Sequence, residues 1–390
     1  MGTFPVFTII RLQVLTSTLV ISFVNARKGI RVQPFTTTLG GGEKPQFLPN
    51  ETFIPVVTAP IFKARLYPHG PSEADHRLPL SVDATQLVFL AKSIPFLGSS
   101  YDIAYVMSNG AVGFDLTSNG FESDIFAENA KPVIAPFWNR NDLRKGGHVF
   151  YREITESNDG VLSRGAREIW YQYGKRVQPK SCLLVTWQRM QPYRNETILP
   201  AEITNTFQLA IFISDNGTFV NFIYDRIGWS LGAKAGFKQG SKSYLLPRSG
   251  SKRIKFLEEH GNTGIPGEWM FQIDGERIVR CKHGIKGDLC NIECGANEWG
   301  QDCTSCCHCL SGRCKSDSGE CTPSPGDCSQ CWTGPPLCQQ RLNTCEVQGK
   351  RCAPNAVSFT DFDQCGDPIV RCQCQSGFIG DGYSICRVTS

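Results

Sequence analysis

Cysteine is the residue type through which this sequence offers the most chemistry. The 390-residue chain has 19 cysteines, and 18 of them lie between Cys281 and Cys386. The run Cys303–Cys309, CTSCCHC, has the spacing of a zinc site, which requires reduced thiolates as ligands. In an oxidising compartment the same residues form disulfides, which small modules need because they cannot build a large apolar core. Disulfides are therefore the preferred interpretation, and we expect no metal ion and no cofactor.

The odd cysteine total leaves one thiol over. We assign it to Cys182, because the apolar run Leu183–Val185 that follows predicts a buried and inert thiol. A long-range bridge from Cys182 to the cysteine-rich half is the alternative. Twelve cysteines precede the last six of the chain, and their pairing stays open. They are Cys281, Cys290, Cys294, Cys303, Cys306, Cys307, Cys309, Cys314, Cys321, Cys328, Cys331 and Cys338.

Other residue types form no catalytic motif. The sequence lacks the metalloprotease, nucleophile-elbow, phosphate-loop and dinucleotide fingerprints, and its six histidines are scattered. The net charge of +4 is too small to indicate nucleic acid as a partner. We therefore expect no enzyme, and a divergent hydrolase with a carboxylate pair or a Ser–His pair is the open alternative.

Three Asn-x-Thr sequons are acceptors for N-glycosylation in a secreted chain: Asn50, Asn195 and Asn216. Asn195 lies in a polar loop and is the favoured acceptor. Asn216 lies in a tight hairpin turn, where the glycosylating enzyme would be hindered.

The N-terminus predicts secretion. Leu12–Val24 is an apolar stretch that ends at the small-residue site Val24-Asn25-Ala26, so residues 1–26 are interpreted as a signal peptide. This stretch is too short to cross a bilayer, and no second apolar span follows, so we expect no membrane span in the mature chain. Residues 27–60 lack periodicity and contain Gly40–Gly42, which is typical of a linker.

From residue 61 to 274 the pattern is mainly β. Asn109-Gly110 between Tyr101–Met107 and Ala111–Phe114 predicts a tight hairpin, because both turn residues need a positive φ. A second hairpin is predicted from Thr206–Ile213 and Thr218–Tyr224, which flank Asp215-Asn216-Gly217; Phe207, Leu209, Ile211 and Ile213 alternate on one face of the first strand. Further strands are predicted at Val149–Ile154, Glu168–Tyr173, Leu183–Trp187, Gly232–Phe237 and Trp269–Ile273. Short helices are predicted at Phe121–Ala127 and Ile254–Glu259.

An ordered set of motifs across this region resembles a known family. The set comprises Leu66-Tyr67-Pro68-His69-Gly70, Pro95-Phe96 with Gly98, Ser108-Asn109-Gly110, Ala135-Pro136-Phe137-Trp138, Gly147-His148-Val149-Phe150-Tyr151, Ala235-Gly236-Phe237, Tyr244-Leu245-Leu246-Pro247 and Pro266-Gly267-Glu268-Trp269-Met270-Phe271. Together these motifs resemble the NIDO domain, the globular module of nidogens that also occurs in tectorin and some membrane mucins. The resemblance covers residues 61–275 and implies a β-rich domain with a role in cell–matrix adhesion.

The last six cysteines end in Cys-x-Cys followed by a glycine-rich loop, and they resemble an EGF-like module. That resemblance implies the pairs Cys345–Cys365, Cys352–Cys372 and Cys374–Cys386. Calcium is not expected, because the residues before Cys345 lack the acidic side chains of calcium-binding modules. The region 276–340 resembles laminin-type or multiple-EGF repeats, but the additional Cys306 and Cys328 leave its pairing unresolved.

These observations predict a mainly β, modular, secreted protein. Its divisions are 1–26 signal peptide, 27–60 linker, 61–275 NIDO-like domain, 276–340 cysteine-rich region and 341–390 EGF-like domain. By resemblance, its function is cell–matrix adhesion or matrix organisation through binding of extracellular-matrix or cell-surface proteins. The alternative is a secreted signalling ligand that acts through its EGF-like tail.

Overall fold

Strands between residues 76 and 272 build two antiparallel six-stranded sheets. The computed structural model describes residues 63–115, 121, 124–128, 130–194, 196–323, 326–342 and 352–388. In chain order the strands of this part are β1 His76–Arg77, β2 Thr85–Phe96, β3 Ser99–Met107, β4 Ala111–Gly113, β5 Val133–Trp138, β6 His148–Ile154, β7 Ser181–Met190, β8 Asn205–Ser214, β9 Gly217–Ile227, β10 Lys234–Gln239, β11 Lys242–Leu245 and β12 Glu268–Gln272. The first sheet has the order β1-β6-β7-β8-β9-β12 and the second β11-β10-β5-β4-β3-β2. The mainly β expectation is confirmed.

One apolar core fills the space between the two sheets. Trp187 and Phe207 of the first sheet are fully buried and stacked, with ring centroids 5.1 Å apart. Phe222 stacks on Phe237 of the second sheet at 5.2 Å, so aromatic rings join the two sheets directly. Each buried aromatic side chain contributes about 1.5–3 kcal/mol through removal of apolar surface from water. The alternation read from the sequence places these rings on the inner faces.

The predicted Asn109-Gly110 turn is present between β3 and β4, but the expectation of a positive φ at both residues is wrong for Asn109 and holds only for Gly110. Gly110 has φ +91°, and a Cβ there would lie 1.9 Å from the carbonyl oxygen of Phe137. The Asn109 side chain accepts from Asn141 N at 2.9 Å and donates to Asp83 at 2.7 Å. The turn therefore needs glycine because β5 approaches it closely, and it needs asparagine because both ends of the amide are used.

The strand predicted at Glu168–Tyr173 is wrong, because these residues end a helix, α1, which spans Gly160–Tyr173. The Asp159 carboxylate caps its first turn by accepting from Val161 N at 2.6 Å, and Gly174 ends it at φ +68°. Residues that recur at helical spacing are buried against the outer face of the first sheet: Val161, Leu162, Gly165, Ile169 and Tyr173. Burial of this face outweighs the β preference of the aromatic run.

The two short helices predicted from sequence have different outcomes. A one-turn helix, α2, forms at Phe256–Glu259, within the predicted range. No helix forms in the described residues of 121–127, which are irregular or in turns. Phe121 stacks on Trp138 at 5.2 Å and covers the outer face of the second sheet. Single 3-10 turns lie at Pro71–Glu73, Leu143–Lys145 and Ala201–Ile203.

Beyond residue 280, short strand pairs and disulfides replace the apolar core. The strands are β13 Ile285–Lys286, β14 Ile292–Glu293, β15 Glu298–Trp299, β16 Ser305–Cys306, β17 Trp332–Thr333, β18 Gln340–Arg341, β19 Ala356–Phe362, β20 Pro368–Cys374, β21 Phe378–Gly380 and β22 Cys386–Val388. The bridges are Cys281–Cys290, Cys294–Cys303, Cys306–Cys365, Cys307–Cys314, Cys309–Cys321, Cys328–Cys338, Cys352–Cys372 and Cys374–Cys386. Cys331 is also disulfide-bonded.

The pairing of the last module differs in part from the one that the EGF-like resemblance implies. Cys352–Cys372 and Cys374–Cys386 are the implied pairs. The implied Cys345–Cys365 bridge is wrong, because Cys365 pairs with Cys306 of the preceding region. The Cys306–Cys365 pairing is stabilised by Asp367, two residues after Cys365, which contacts His308 and Trp332 of the preceding region.

Several expectations fall on residues outside the described ranges. They concern the signal peptide, the linker, Cys345 and the sequons at Asn50 and Asn195. Asn216 is described and lies exposed in the turn between β8 and β9. Within the described part of the chain, no helix combines the length and the hydropathy that crossing a lipid bilayer requires.

Candidate interaction surface

The described residues contain no group of three or more His, Cys, Asp or Glu side chains arranged to hold a metal ion. In the run that resembles a zinc site, all four cysteines are in disulfides, so they are unavailable as thiolate ligands. The remaining cysteine, Cys182, is free and fully buried beneath α1, as predicted. Burial raises the pKa of its thiol far above the ordinary value, so it is not a nucleophile.

The densest polar cluster lies between α1 and the first sheet. Tyr67 donates its hydroxyl proton to Glu168, and Asn221 Nδ2 lies 3.2 Å from Glu168 and 3.3 Å from Glu268. The Thr263 hydroxyl donates to the second oxygen of Glu268 at 2.8 Å. Burial, and then the charge of Glu168, raises the pKa of Glu268. These are the two carboxylates that a hydrolase would need.

Both carboxylates of this pair are engaged in hydrogen bonds within the protein, and only Glu168 keeps part of its side chain, 18%, exposed. Tyr67 and Asn221 are fully buried and Glu268 is 3% exposed. Arg164 covers the cluster, with its guanidinium 4.1 Å from the centre of the Tyr67 ring and Nε donating to Glu168 at 2.6 Å. The cluster therefore fastens the segment around Tyr67 to α1 and to β12.

Arg164 and Glu168 bond to each other and to Tyr67, and the outer face of α1 presents a different set of side chains. Trp170 is 52% exposed and Tyr171 69%, and Arg167 is exposed one turn before them. Residues three and four apart on a helix are neighbours, so these three side chains share one face. Arg176 is exposed just beyond the end of the helix. We call Arg167, Trp170, Tyr171 and Arg176 the α1 face.

The α1 face has the composition of a protein-binding hot spot. Tryptophan, tyrosine and arginine are the residue types most enriched at the centres of protein interfaces. Neither Arg167 nor Arg176 forms an ion pair within the described part of the chain. A partner can therefore contact the rings and the guanidinium groups of the α1 face, and no ion pair within the described residues has to break.

With this geometry established, comparisons with known proteins place the domain. Residues 102–275 match the family model described as "Nidogen-like domain". The chain contains a nidogen-like domain. This result confirms the NIDO part of the resemblance over residues 102–275, and the laminin-type and EGF-like modules stay predictions.

Known relatives align with the nidogen-like domain and beyond. "Dendrite extension defective protein 1" of Caenorhabditis elegans is 50% identical over 344 residues, which are 88% of this chain and 29% of that protein. Chicken "Alpha-tectorin" is 29% identical over 273 residues, 63% of this chain and 12% of that protein. Drosophila melanogaster "Nidogen" is 28% identical over 226 residues, 53% of this chain and 16% of that protein. The chain thus spans less than a third of the length of these relatives. No solved structure matches it.

The nidogen-like domain is joined to the cysteine-rich region through Asp302. Its carboxylate is buried and accepts from Arg277 at 2.9 Å and from the backbone N–H groups of Arg280 and Cys281 at 3.0 and 2.8 Å. Gln172 of α1 donates to the Arg280 carbonyl at 2.8 Å. One carboxylate therefore fixes the segment that leaves the domain.

A second joint, through Asp367, connects the cysteine-rich region to the last module. Asp367 Oδ1 lies 3.0 Å from His308 Nδ1 and accepts from Trp332 Nε1 at 2.8 Å. The rings of His308 and Trp332 stack with their centroids 3.4 Å apart. The Cys306–Cys365 bridge lies beside these contacts, so the joint is covalent as well as polar.

The sequence interpretation missed the α1 face, because it assigned its aromatic residues to a strand. A helical signal was present: Asp159 before Gly160 is a capping residue, and apolar residues recur four apart from Val161 through Gly165 to Ile169. Those positions are buried, which places Trp170 and Tyr171 on the opposite side.

Proposed function

We propose that this chain belongs to a secreted, non-enzymatic extracellular-matrix protein that binds other matrix or cell-surface proteins. Its nidogen-like domain, taken as residues 61–275, is the binding unit. The cysteine-rich region 276–340 and the EGF-like domain 341–390 form a crosslinked spacer behind it. Relatives named nidogen and alpha-tectorin support this assignment. A signal peptide at 1–26, a linker at 27–60 and glycans at Asn50, Asn195 and Asn216 are parts of the same proposal.

One observation carries the proposal: the carboxylates of the nidogen-like domain are held in internal hydrogen bonds, whereas large aromatic side chains are exposed. Glu268 is buried, and Glu168, which keeps 18% of its side chain exposed, is bonded to Tyr67 and Arg164. Trp170 and Tyr171 of the same helix are exposed to solvent and have no such partners among the carboxylates. This arrangement suits surface recognition and does not suit catalysis.

Solid-phase binding of the secreted full chain to a panel of matrix and cell-surface proteins tests the proposal. We expect saturable binding to at least one panel member, and loss of that binding when the chain is reduced and unfolded. A folded chain that binds no member of the panel, at concentrations up to about 10 μM, would refute the proposed function.

The signalling-ligand alternative requires the tail to act as a separate unit. The joint at Asp367 argues against this, because Cys365 is covalently bonded to Cys306 outside the tail. A fragment of residues 340–390 would lose that bond together with the contacts to His308 and Trp332. We therefore retain adhesion as the proposed function.

A further inference from the structure

We propose that the α1 face is a docking site for an acidic segment of a partner protein, in which Asp or Glu residues alternate with apolar ones. This inference rests on the proposed function and names the partner chemistry for it. The exposed cations would pair with the carboxylates of the segment, and the exposed rings would cover its apolar side chains.

The charge of the α1 face selects an acidic partner. Glu168 is the one acidic residue of the helix, and its carboxylate is bonded to Tyr67, Arg164 and Asn221. Arg167 and Arg176 remain exposed and lack an ion pair within the described residues. An acidic segment that docks here gains two charge pairs and displaces no internal one.

The α1 face carries large aromatic side chains as well as cations. Of the lysines that follow the helix, Lys180 pairs with Asp215 at 2.6 Å, and Lys175 is partly buried and donates to Gln272 at 2.6 Å. Sulfated polysaccharides bind mainly through charge. Two arginines together with two large exposed rings fit a peptide better, because a peptide supplies apolar side chains as well as carboxylates.

The helix holds the two rings on a fixed backbone. Tyr173 donates its hydroxyl proton to the carbonyls of Met270 and Val279, 3.1 and 3.0 Å away. Gln172 donates to the carbonyls of Asn262 and Arg280 at 3.2 and 2.8 Å. The residues that follow Trp170 and Tyr171 are thus hydrogen-bonded to β12 and to the segments beside it. Little binding free energy is therefore spent on ordering this backbone when a partner binds.

The test measures binding of the secreted full chain to three labelled probes by fluorescence anisotropy. The probes are a synthetic peptide that alternates Glu with Leu and Tyr, the same peptide with Gln in place of Glu, and heparin. We expect the acidic peptide to bind and the Gln peptide to bind at least about 10-fold more weakly, with affinity for the acidic peptide falling as salt rises.

Variants locate the site. Trp170→Ala and Arg167→Glu should each weaken acidic-peptide binding by at least about 10-fold, the effect of removing an interface hot spot. Phe89→Ala, on an exposed ring of β2, and Arg313→Glu, on an exposed arginine of the cysteine-rich region, are matched controls and should change it less than about twofold. Far-UV circular dichroism confirms that each variant is folded. Arg167→Glu removes little buried surface and remains informative if Trp170→Ala is unstable.

Three outcomes would overturn the inference. They are equal binding of the Glu and Gln peptides, binding of heparin without binding of the acidic peptide, and unchanged matrix-protein binding by the Trp170→Ala, Arg167→Glu double variant. The last outcome leaves the proposed function intact, because the chain would still bind matrix proteins through another surface. Conversely, a wild-type chain that binds the acidic peptide but no panel member supports the inference and refutes the proposed function.

Discussion

At the residue scale, Glu268 shows how a buried carboxylate affects stability in this fold. The side chain is 3% exposed and faces Glu168, Thr263 and Asn221. Burial is the largest cause of its raised pKa, and the negative charge of Glu168 adds to it, while the hydrogen bonds from Thr263 and Asn221 oppose it. Ionising Glu268 therefore costs more free energy in the folded state than in the unfolded chain.

We predict that Glu268→Gln reduces the pH dependence of stability. Because the pKa of Glu268 is higher in the folded state, its contribution is fully present below the ordinary value of 4.5 and is lost as pH rises through the raised pKa. Glutamine does not ionise, so the variant does not lose this stability as pH rises. Denaturant unfolding from pH 4 to pH 8 should show the stability of the wild type falling relative to the variant. Glu259→Gln, an exposed carboxylate of α2, is the control and should leave the pH profile unchanged.

Cys182 gives a second prediction at this scale. Its thiol is fully buried, and burial raises its pKa, so the reactive thiolate is scarce at any pH where the protein is folded. We expect no reaction with a thiol reagent at pH 8 in the native state, and labelling of Cys182 once the protein is unfolded in denaturant without reductant. Peptide mapping identifies the labelled site, and Cys182→Ala is the control. Labelling of native Cys182 at the rate of an exposed thiol would contradict the buried position.

At the element scale, α1 shows where sequence patterns were sufficient and where they were not. The strands around Asn109-Gly110 and Asp215-Asn216-Gly217 were predictable, because turn chemistry and alternation both lie within a few residues. The aromatic run before Gly174 was ambiguous, because isoleucine, tryptophan and tyrosine favour strands locally. Its helical state depends on burial against β7 and β8, a tertiary contact that local propensity does not report, and so the exposed site on its outer face was not predictable either.

Gly165 tests the contact of α1 with the sheet. A Cβ at this position would lie 2.3 Å from the ring of Phe212, whereas one at Gly160 of the same helix would meet nothing within 4 Å. Gly165→Ala should therefore destabilise the protein by about 1–3 kcal/mol through overpacking, against the intrinsic helix preference for alanine. Gly160→Ala should be neutral or slightly stabilising. Thermal unfolding of both variants measures the difference, and a stabilising Gly165→Ala would mean that α1 lies farther from the sheet.

At the scale of the whole molecule, two aspartates and one disulfide connect the successive parts of the chain. Asp302 fixes the exit from the nidogen-like domain, and Asp367, between β19 and β20, fixes the last module to the cysteine-rich region. The bridge Cys306–Cys365 could not be predicted from family resemblance, which pairs cysteines within a module. The signal for it was the additional Cys306, which has no place in the repeat pattern.

We predict that the second joint depends on its covalent and polar parts together. A bridge that spans 59 residues stabilises the folded state by up to about 4 kcal/mol in the chain-entropy model, less where shorter bridges already restrict the loop. The double change Cys306→Ser, Cys365→Ser with Asp367→Ala should make the last module mobile. Small-angle scattering would report a broader distribution of dimensions, and each change alone should have a smaller effect. Asp327→Ala, at an exposed aspartate of the cysteine-rich region, is the control.

The distance along the chain between Cys306 and Cys365 also bears on biosynthesis. During translation Cys306 emerges well before its partner and next to Cys307, so until Cys365 is made its thiolate can attack other disulfides by thiol–disulfide exchange. A premature stop before Cys352 would leave that sulfhydryl without its native partner, although every residue of the nidogen-like domain had been made. We expect such truncated products to be retained as mixed disulfides inside the cell, and introducing Cys306→Ser in the same truncation to increase their export.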